Sequence, residues 1–485
     1  MPQLIIALDI GTSSTRAIAF DTVGRKVGEA AQIAYEQCTK NDGGVEIGAD
    51  FLRCLTEKCL GELLSGLPGE SEALGVAISC FWHSLLAVDE GGNALTPVWS
   101  WADNRAAAYV PVLRAATDET QAHARLGCVF HTSYWPAKLL YLRDKQPELF
   151  TQNEGKVKWM GFGEYLREKW CGDARMSLSM ASGTGLFDQN RCDFDAEMLS
   201  HLPLTKNEIP ELCDLSDFAF LNQSHKKWWP QLKNAKVFPP IGDGACSNIG
   251  SGCADATKIG LNAGTSGALR VVLKDFQGAA PRGLWRYRVD KNRSIVGGAL
   301  SNAGNVIAWA RDNLKLSPDW PAKVEAMEIG AHGLTILPFL AGERAPLWNA
   351  NARFTLEGAS WNTNADEMMR AILEGAALRF SALSRELLRL APGAQIVFSG
   401  GVLEKIPLWQ TILCDAMGAH LTQSLQSEAS ARGAALLALE SLGILDDAKN
   451  APFQSGAQLS PNAANHAIYS AMLDKQNALY AKIYD

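Results

Sequence analysis

No apolar run in this chain approaches the length of a bilayer span, which takes about 20 residues, so a membrane-crossing helix is not expected. The N-terminus lacks a basic segment ahead of its apolar stretch, and Asp9 interrupts that stretch, so it reads as a strand and not as a signal peptide. Basic charge is scarce as well. Lys and Arg number 45 against 52 Asp and Glu, a net charge of −7, which argues against nucleic acid, a polyanion usually met by a basic face. The 11 cysteines are odd in number and form no Cys-x-x-Cys pair, so neither a disulfide framework nor a zinc site is signalled. Reduced thiols in a cytoplasm fit best. Two familiar nucleotide motifs are also missing: there is no Gly-x-x-x-x-Gly-Lys-Ser/Thr run, and no Gly-x-Gly-x-x-Gly in a strand-turn-helix setting.

What remains is a chain of 485 residues, 47% hydrophobic and 20% charged, the composition of an ordinary globular protein. That length exceeds what one core accommodates and points to two domains. The most informative stretch is Leu4 to Asp21, where Asp9 and the turn Gly11-Thr12-Ser13-Ser14 lie between two strand-like runs. A shorter echo, Leu261 to Leu273, repeats the turn as Gly264-Thr265-Ser266. Close backbone approach and hydroxyl donors suit phosphates, so two such hairpins suit one polyphosphate, with Asp9 placed to bind Mg²⁺. Either turn alone is equally well read as a plain glycine turn.

Asp243, flanked by Gly242 and Gly244, sits where a helix of small residues begins. There it suits a helix cap, or an ionised carboxylate taking a proton from an attacking alcohol. The domain boundary falls at this point, giving residues 1–243 and 244–485. Ser399-Gly400-Gly401 lets a base or ribose approach the backbone, or is simply a turn. Trp82, His83, Asp103, Arg105 and Lys138 supply polar groups for a hydroxylated small molecule, although each alone reads equally as a surface or core residue. Local patterns predict a helix over Phe51–Leu64 capped by Asp50, a strand over Ala73–Cys80, a loop over Ser224–Gln231 and a long amphipathic helix over Ala365–Leu390.

Taken in order, Asp9 to Ser14, Trp101 to Arg105, Gly242 to Gly244, Asn262 to Ser266, Pro338 to Pro346, Ser399 to Gly401 and Glu428 to Ala435 resemble the FGGY family of carbohydrate kinases, within the actin-like ATPase superfamily. The resemblance implies an α/β fold of two ribonuclease-H-like domains, with mixed sheets flanked by helices and a cleft between them. Sugar would bind mostly on residues 1–243 and ATP mostly on 244–485. It places Asp243 as catalytic base and Asp9 as the residue organising Mg²⁺. Gly11, Thr12, Ser13, Gly264, Thr265 and Ser266 become phosphate loops, while Gly304, Gly400 and Gly401 come near the adenosine. Lys405 stands where glycerol kinases carry an adenine-contacting Asn. Trp82, His83, Asp103, Lys138 and Asp243 would surround the sugar.

Family members are often dimers, so the resemblance extends to a homodimer. Trp82-His83 replaces the Arg-Glu pair of glycerol kinases, which argues against glycerol. The segments Phe81–Asp89 and Trp101–Arg105 look most like the gluconate kinases, with xylulose-like pentulose kinases as the alternative. A sugar acid would need a cation, for which Arg105 and Lys138 are the candidates. From another class, an actin-like nucleotide switch or a catalytically silent sugar-binding regulator stays open.

Overall fold

The structure, a computed structural model, describes residues 2–67, 71–151 and 156–485. Strands β1 (Gln3–Ile10), β2 (Ser14–Phe20) and β3 (Lys26–Ala34) form a meander in which β2 runs antiparallel to both neighbours. Helix α1 (Ala49–Gly66) then crosses back to β4 (Glu72–Cys80), parallel to β1. With neighbours on both sides and cover on both faces, β1 reads as a nearly continuous apolar run rather than an alternating one. An intervening region containing α2 (Trp135–Lys145) leads to the short strands β5 (Ala219–Phe220), β6 (Lys236–Val237) and β7 (Ile241–Gly242). The sheet order is β5-β6-β4-β1-β2-β3, with β7 pairing the end of β4.

Helix α3 (Asp243–Gly250) starts directly from β7, and a second sheet repeats the plan of the first. Its hairpin is β8 (Lys258–Ala263) and β9 (Gly267–Lys274), followed by β10 (Trp285–Arg288) and β11 (Arg293–Leu300). After α4 (Gly304–Asn313) and α5 (Ala365–Leu390), strand β12 (Gln395–Ser399) lies parallel to β8, as β4 lies to β1. Helices α6 (Gly401–Lys405), α7 (Pro407–Met417), α8 (Ala429–Ser441) and α9 (Ala463–Tyr484) alternate with β13 (Leu421–Ser424) and β14 (Ser455–Leu459). The order is β10-β11-β9-β8-β12-β13-β14. This is the two-domain α/β architecture with mixed sheets that the resemblance implies.

Helix α5 has the predicted bounds, because Asn364 and Glu367 form a reciprocal capping box at its start. Its apolar stripe, Met369, Ile372, Leu373, Ala376, Phe380, Leu383 and Leu387, is entirely buried. Burying a Leu or Ile of this kind is worth about 1.5–3 kcal/mol. Helix α8 comes late in the chain but lies on β1 and β4 of the first sheet and crosses α3, so it ties the two halves together. Arg432 on α8 reinforces the tie, donating to the carbonyls of Gly24, Gly250 and Pro452 at 3.0, 2.7 and 2.6 Å.

Two local expectations are corrected. Helix α1 begins after Gly48, and Asp50 lies inside its first turn, accepting from Tyr165 Oη at 2.8 Å and Arg53 Nε at 3.1 Å instead of capping. The predicted loop contains a six-residue helix, Gln223–Trp228, capped by Asn222, which accepts from the His225 N–H at 3.1 Å. Its polarity hid it, since only His225 on this helix is buried, packed against Trp170 and Trp229. Among the described residues no helix is long and apolar enough to cross a membrane.

Candidate active site

Both glycine hairpins form as tight turns at the ends of paired strands. In the first, Asp9 faces Arg16 across β1 and β2, and the Gly11 N–H closes the turn onto Ser14 O at 3.0 Å. In the second, Ala263 faces Gly267, and the Gly264 N–H donates to Ser266 O at 2.9 Å. Thr12 from one tip and Ser266 from the other line the same cavity of about 310 Å³. The pairing read in the sequence is therefore a spatial fact.

The second tip is braced by the start of α4, where Gly304 N–H and Asn305 N–H donate to the carbonyls of Gly264 and Thr265 at 3.0 and 3.1 Å. Gly400 lies on its other flank with φ +117°, and a Cβ there would come within 2.3 Å of Ala263 O. Gly264 and Gly401 have open space beside them, Gly304 is buried against Gly264 and Val402, and Lys405 is exposed at the end of α6, so the glycines leave a shelf with few side chains beside the hairpin. Such a shelf admits a flat base or ribose.

Asp243 is the first residue of α3 and lines the cavity. Its Oδ1 accepts from the Gly244 N–H at 2.8 Å. Burial pushes its pKa up, while Arg270 and the backbone N–H groups of Gly244 and Trp82 pull it down. Trp82 sets the position of this turn. Its ring lies so close over Gly242 that a Cβ there would be 1.8 Å from it, and its Nε1–H is anchored on Ser179 O at 3.0 Å. Asp9 stands at the end of β1 and is not part of the cavity wall, but the Asp243 charge reaches it. Burial and that charge raise the Asp9 pKa to about 6, against a 3.1 Å hydrogen bond from Ser79 Oγ. Among the described residues no three His, Cys, Asp or Glu side chains gather into a metal cage. The donor set instead suits Mg²⁺, which keeps water and phosphate ligands and takes only one or two carboxylates.

The opposite wall is aromatic with polar edges. His83, Tyr134, Trp101, Trp285 and Tyr287 line it, with Tyr134 and Tyr287 joined hydroxyl to hydroxyl at 2.6 Å. His83 Nδ1 lies 2.5 Å from Gly183 O, so it carries the proton, and Nε2 is left as an acceptor. Burial, with help from the nearby cations, lowers the His83 pKa to about 3, so the ring is neutral.

Two residues expected around the sugar stand behind this wall instead. Asp103 is fully buried and takes Arg105 Nη2 at 2.6 Å and the Val45 N–H at 2.9 Å. Lys138, also fully buried, donates to His83 O at 3.1 Å and Ser100 O at 2.8 Å, and burial lowers its pKa to about 7. Arg105 is also taken, by Asp103 and Glu46, with its guanidinium 3.6 Å over the Trp99 ring. Neither of the cations expected to meet a sugar acid therefore faces the cavity. Arg270 and Arg344 do, and the sequence reading missed both. A signal existed for Arg270, which is a charge inside the otherwise apolar run of β9. Arg344 lay within the quoted segment Pro338–Pro346 without a role.

Residues 4–250 match the N-terminal domain of the FGGY family of carbohydrate kinases, and residues 260–442 match its C-terminal domain. A gluconokinase from Bacillus licheniformis is 26% identical over 468 residues, covering 92% of this chain and 89% of that protein. The crystal structure of a gluconate kinase from Lactobacillus acidophilus superposes with a TM-score of 0.92 at 25% identity, covering 100% of this chain and 98% of that one. A ligand-bound xylulose kinase from Lactobacillus acidophilus gives a TM-score of 0.92 at 26% identity, with 99% and 98% coverage.

Proposed function

The chain belongs to the FGGY family of carbohydrate kinases, and from that premise we propose that it transfers the γ-phosphoryl group of ATP to a hydroxyl of a small sugar acid, gluconate being favoured. One observation carries the reading: Thr12, Ser266, Asp243 and the neutral His83 line a single cavity. Donors for phosphate, a carboxylate for proton removal and an acceptor for a sugar hydroxyl are there within one small volume. A nucleotide switch needs only the first of these.

In this reading the hairpin tips hold the phosphates through N–H and hydroxyl groups, and the glycine shelf with Lys405 takes the nucleoside. Mg²⁺, held through Asp9, supplies neutralisation of phosphate charge when bound. Asp243 accepts the proton of the attacking hydroxyl as its oxygen bonds to the γ-phosphorus, while the bond to the β–γ bridging oxygen breaks and ADP leaves. Arg270, beside Asp243, favours the ionised form that this step requires. Residues 1–243 act as the sugar lobe and 244–485 as the ATP lobe, and closure over the cavity keeps water from the phosphoryl group.

A xylulose-like pentulose kinase is the second reading, favoured by the equal structural likeness to the xylulose kinase. Coupled ADP-release measurements across aldonates, ketopentoses, hexoses and polyols separate the two. Turnover should be highest with gluconate, and turnover with a ketopentose but none with gluconate would select the second reading.

A further inference from the structure

We propose that Arg270 and Arg344 together form a carboxylate-reading site in the cavity, making them the residues that select a sugar acid over a neutral sugar. The proposal rests on the kinase reading above and deepens it. Most buried arginines in this protein are committed: Arg105, Arg370 and Arg379 each hold a carboxylate, and Arg432 holds three carbonyls. Arg270 and Arg344 line the cavity with no ion-pair partner among the described residues, and Arg270 Nε is buried with no hydrogen-bond partner at all. A half-buried guanidinium without an ion-pair partner is incompletely solvated, a cost relieved when an anion arrives.

Charge accounting within the cavity points the same way. The two guanidiniums press on each other, since Arg344 is among the groups that lower the Arg270 pKa. The carboxylate acting on Arg270 is Asp243, while the groups acting favourably on Arg344 are the phenols of Tyr134 and Tyr287. His83 is neutral and adds nothing to the sum. One positive charge is thus left over, and a monoanionic acceptor cancels it where a neutral sugar does not. Arg344 is also steadied for this task, with its guanidinium 5.6 Å from the centre of the Trp101 ring. A planar fork of this kind fits a carboxylate through two parallel N–H bonds.

The test uses the full-length enzyme with Arg344→Gln and Arg270→Gln, each beside its Lys counterpart, and gluconate, xylulose and glucose as acceptors. In each Gln variant kcat/KM for gluconate should fall about 100-fold relative to that for xylulose, as expected when one partner of a buried charge pair is removed. The KM for ATP should move less than about twofold, and the Lys variants should recover part of the loss. Calorimetric titration of gluconate without nucleotide should show weakened binding in the Gln variants, a readout independent of turnover. Equal losses on all acceptors with a raised KM for ATP would overturn the proposal, because the guanidiniums would then serve the phosphates. Unchanged gluconate affinity in folded Gln variants would overturn it as well. If the wild-type enzyme turned over no acceptor, the kinase reading would fail on its own account, while calorimetry would still decide the carboxylate site.

Discussion

His83 has φ +68°, a left-handed conformation that costs a non-glycine residue about 1 kcal/mol, and its neighbours hold it there. Lys138 binds its carbonyl and Gly183 takes its Nδ1–H, so the ring is presented in one tautomer. Because burial lowers its pKa to about 3, the ring is neutral at every pH above that and has no proton to lose between pH 5 and 8. The acceptor KM should therefore show no histidine inflection across that range. His83→Ala should raise the acceptor KM about tenfold with little change in the KM for ATP, as loss of one hydrogen bond predicts. An inflection near pH 6.5 that vanished in this variant would contradict the neutral-acceptor role. Residues carried by contiguous motifs, Thr12, His83, Asp243 and Ser266, were legible in the sequence as cavity residues. Lys138 was not read correctly because its partners, the carbonyls of His83 and Ser100, lie 55 and 38 residues away and exist only in the fold. Arg344 escaped for the same reason, since the wall it completes is assembled from both halves of the chain.

Among the elements, α3 and α8 matter most, because one carries Asp243 and the other locks it to the first sheet. They cross at glycines: a Cβ on Gly250 would lie 1.8 Å from Ala429 O, and one on Gly433 1.9 Å from Cys246 O. No side chain fits between these backbones. Gly433→Val should push the helices apart, destabilise the protein by roughly 2–4 kcal/mol and lower kcat more than it raises the acceptor KM. Chemical denaturation and steady-state kinetics check this, and a variant with wild-type stability would show that the crossing is not tight. Helix α5 was legible to its bounds because its capping box and helical periodicity are local properties. The role of α8 was not, since its sequence gives no sign that a helix near the C-terminus covers β1 and β4.

At the scale of the whole molecule, two sheets of the same plan each present one glycine hairpin to a shared cavity, so neither half holds the site alone. Strand β10 adds a second tie, with the Arg286 N–H on Gly127 O at 2.8 Å and the Arg288 N–H on Ser182 Oγ at 2.8 Å. The fold class was readable through the family resemblance that the ordered motifs carry, while the paired hairpins by themselves indicated only one phosphate turn in each half. The identity of the acceptor was not, since it depends on charges brought together from distant segments. The central claim is that Asp243 is the base of an ATP-dependent sugar kinase. Its most direct test is ADP release with gluconate and saturating MgATP in Asp243→Ala, beside ATP binding to the same variant. The account predicts ATP binding within about threefold of wild type and turnover reduced at least ~10³-fold. Turnover close to wild type in that variant would contradict it.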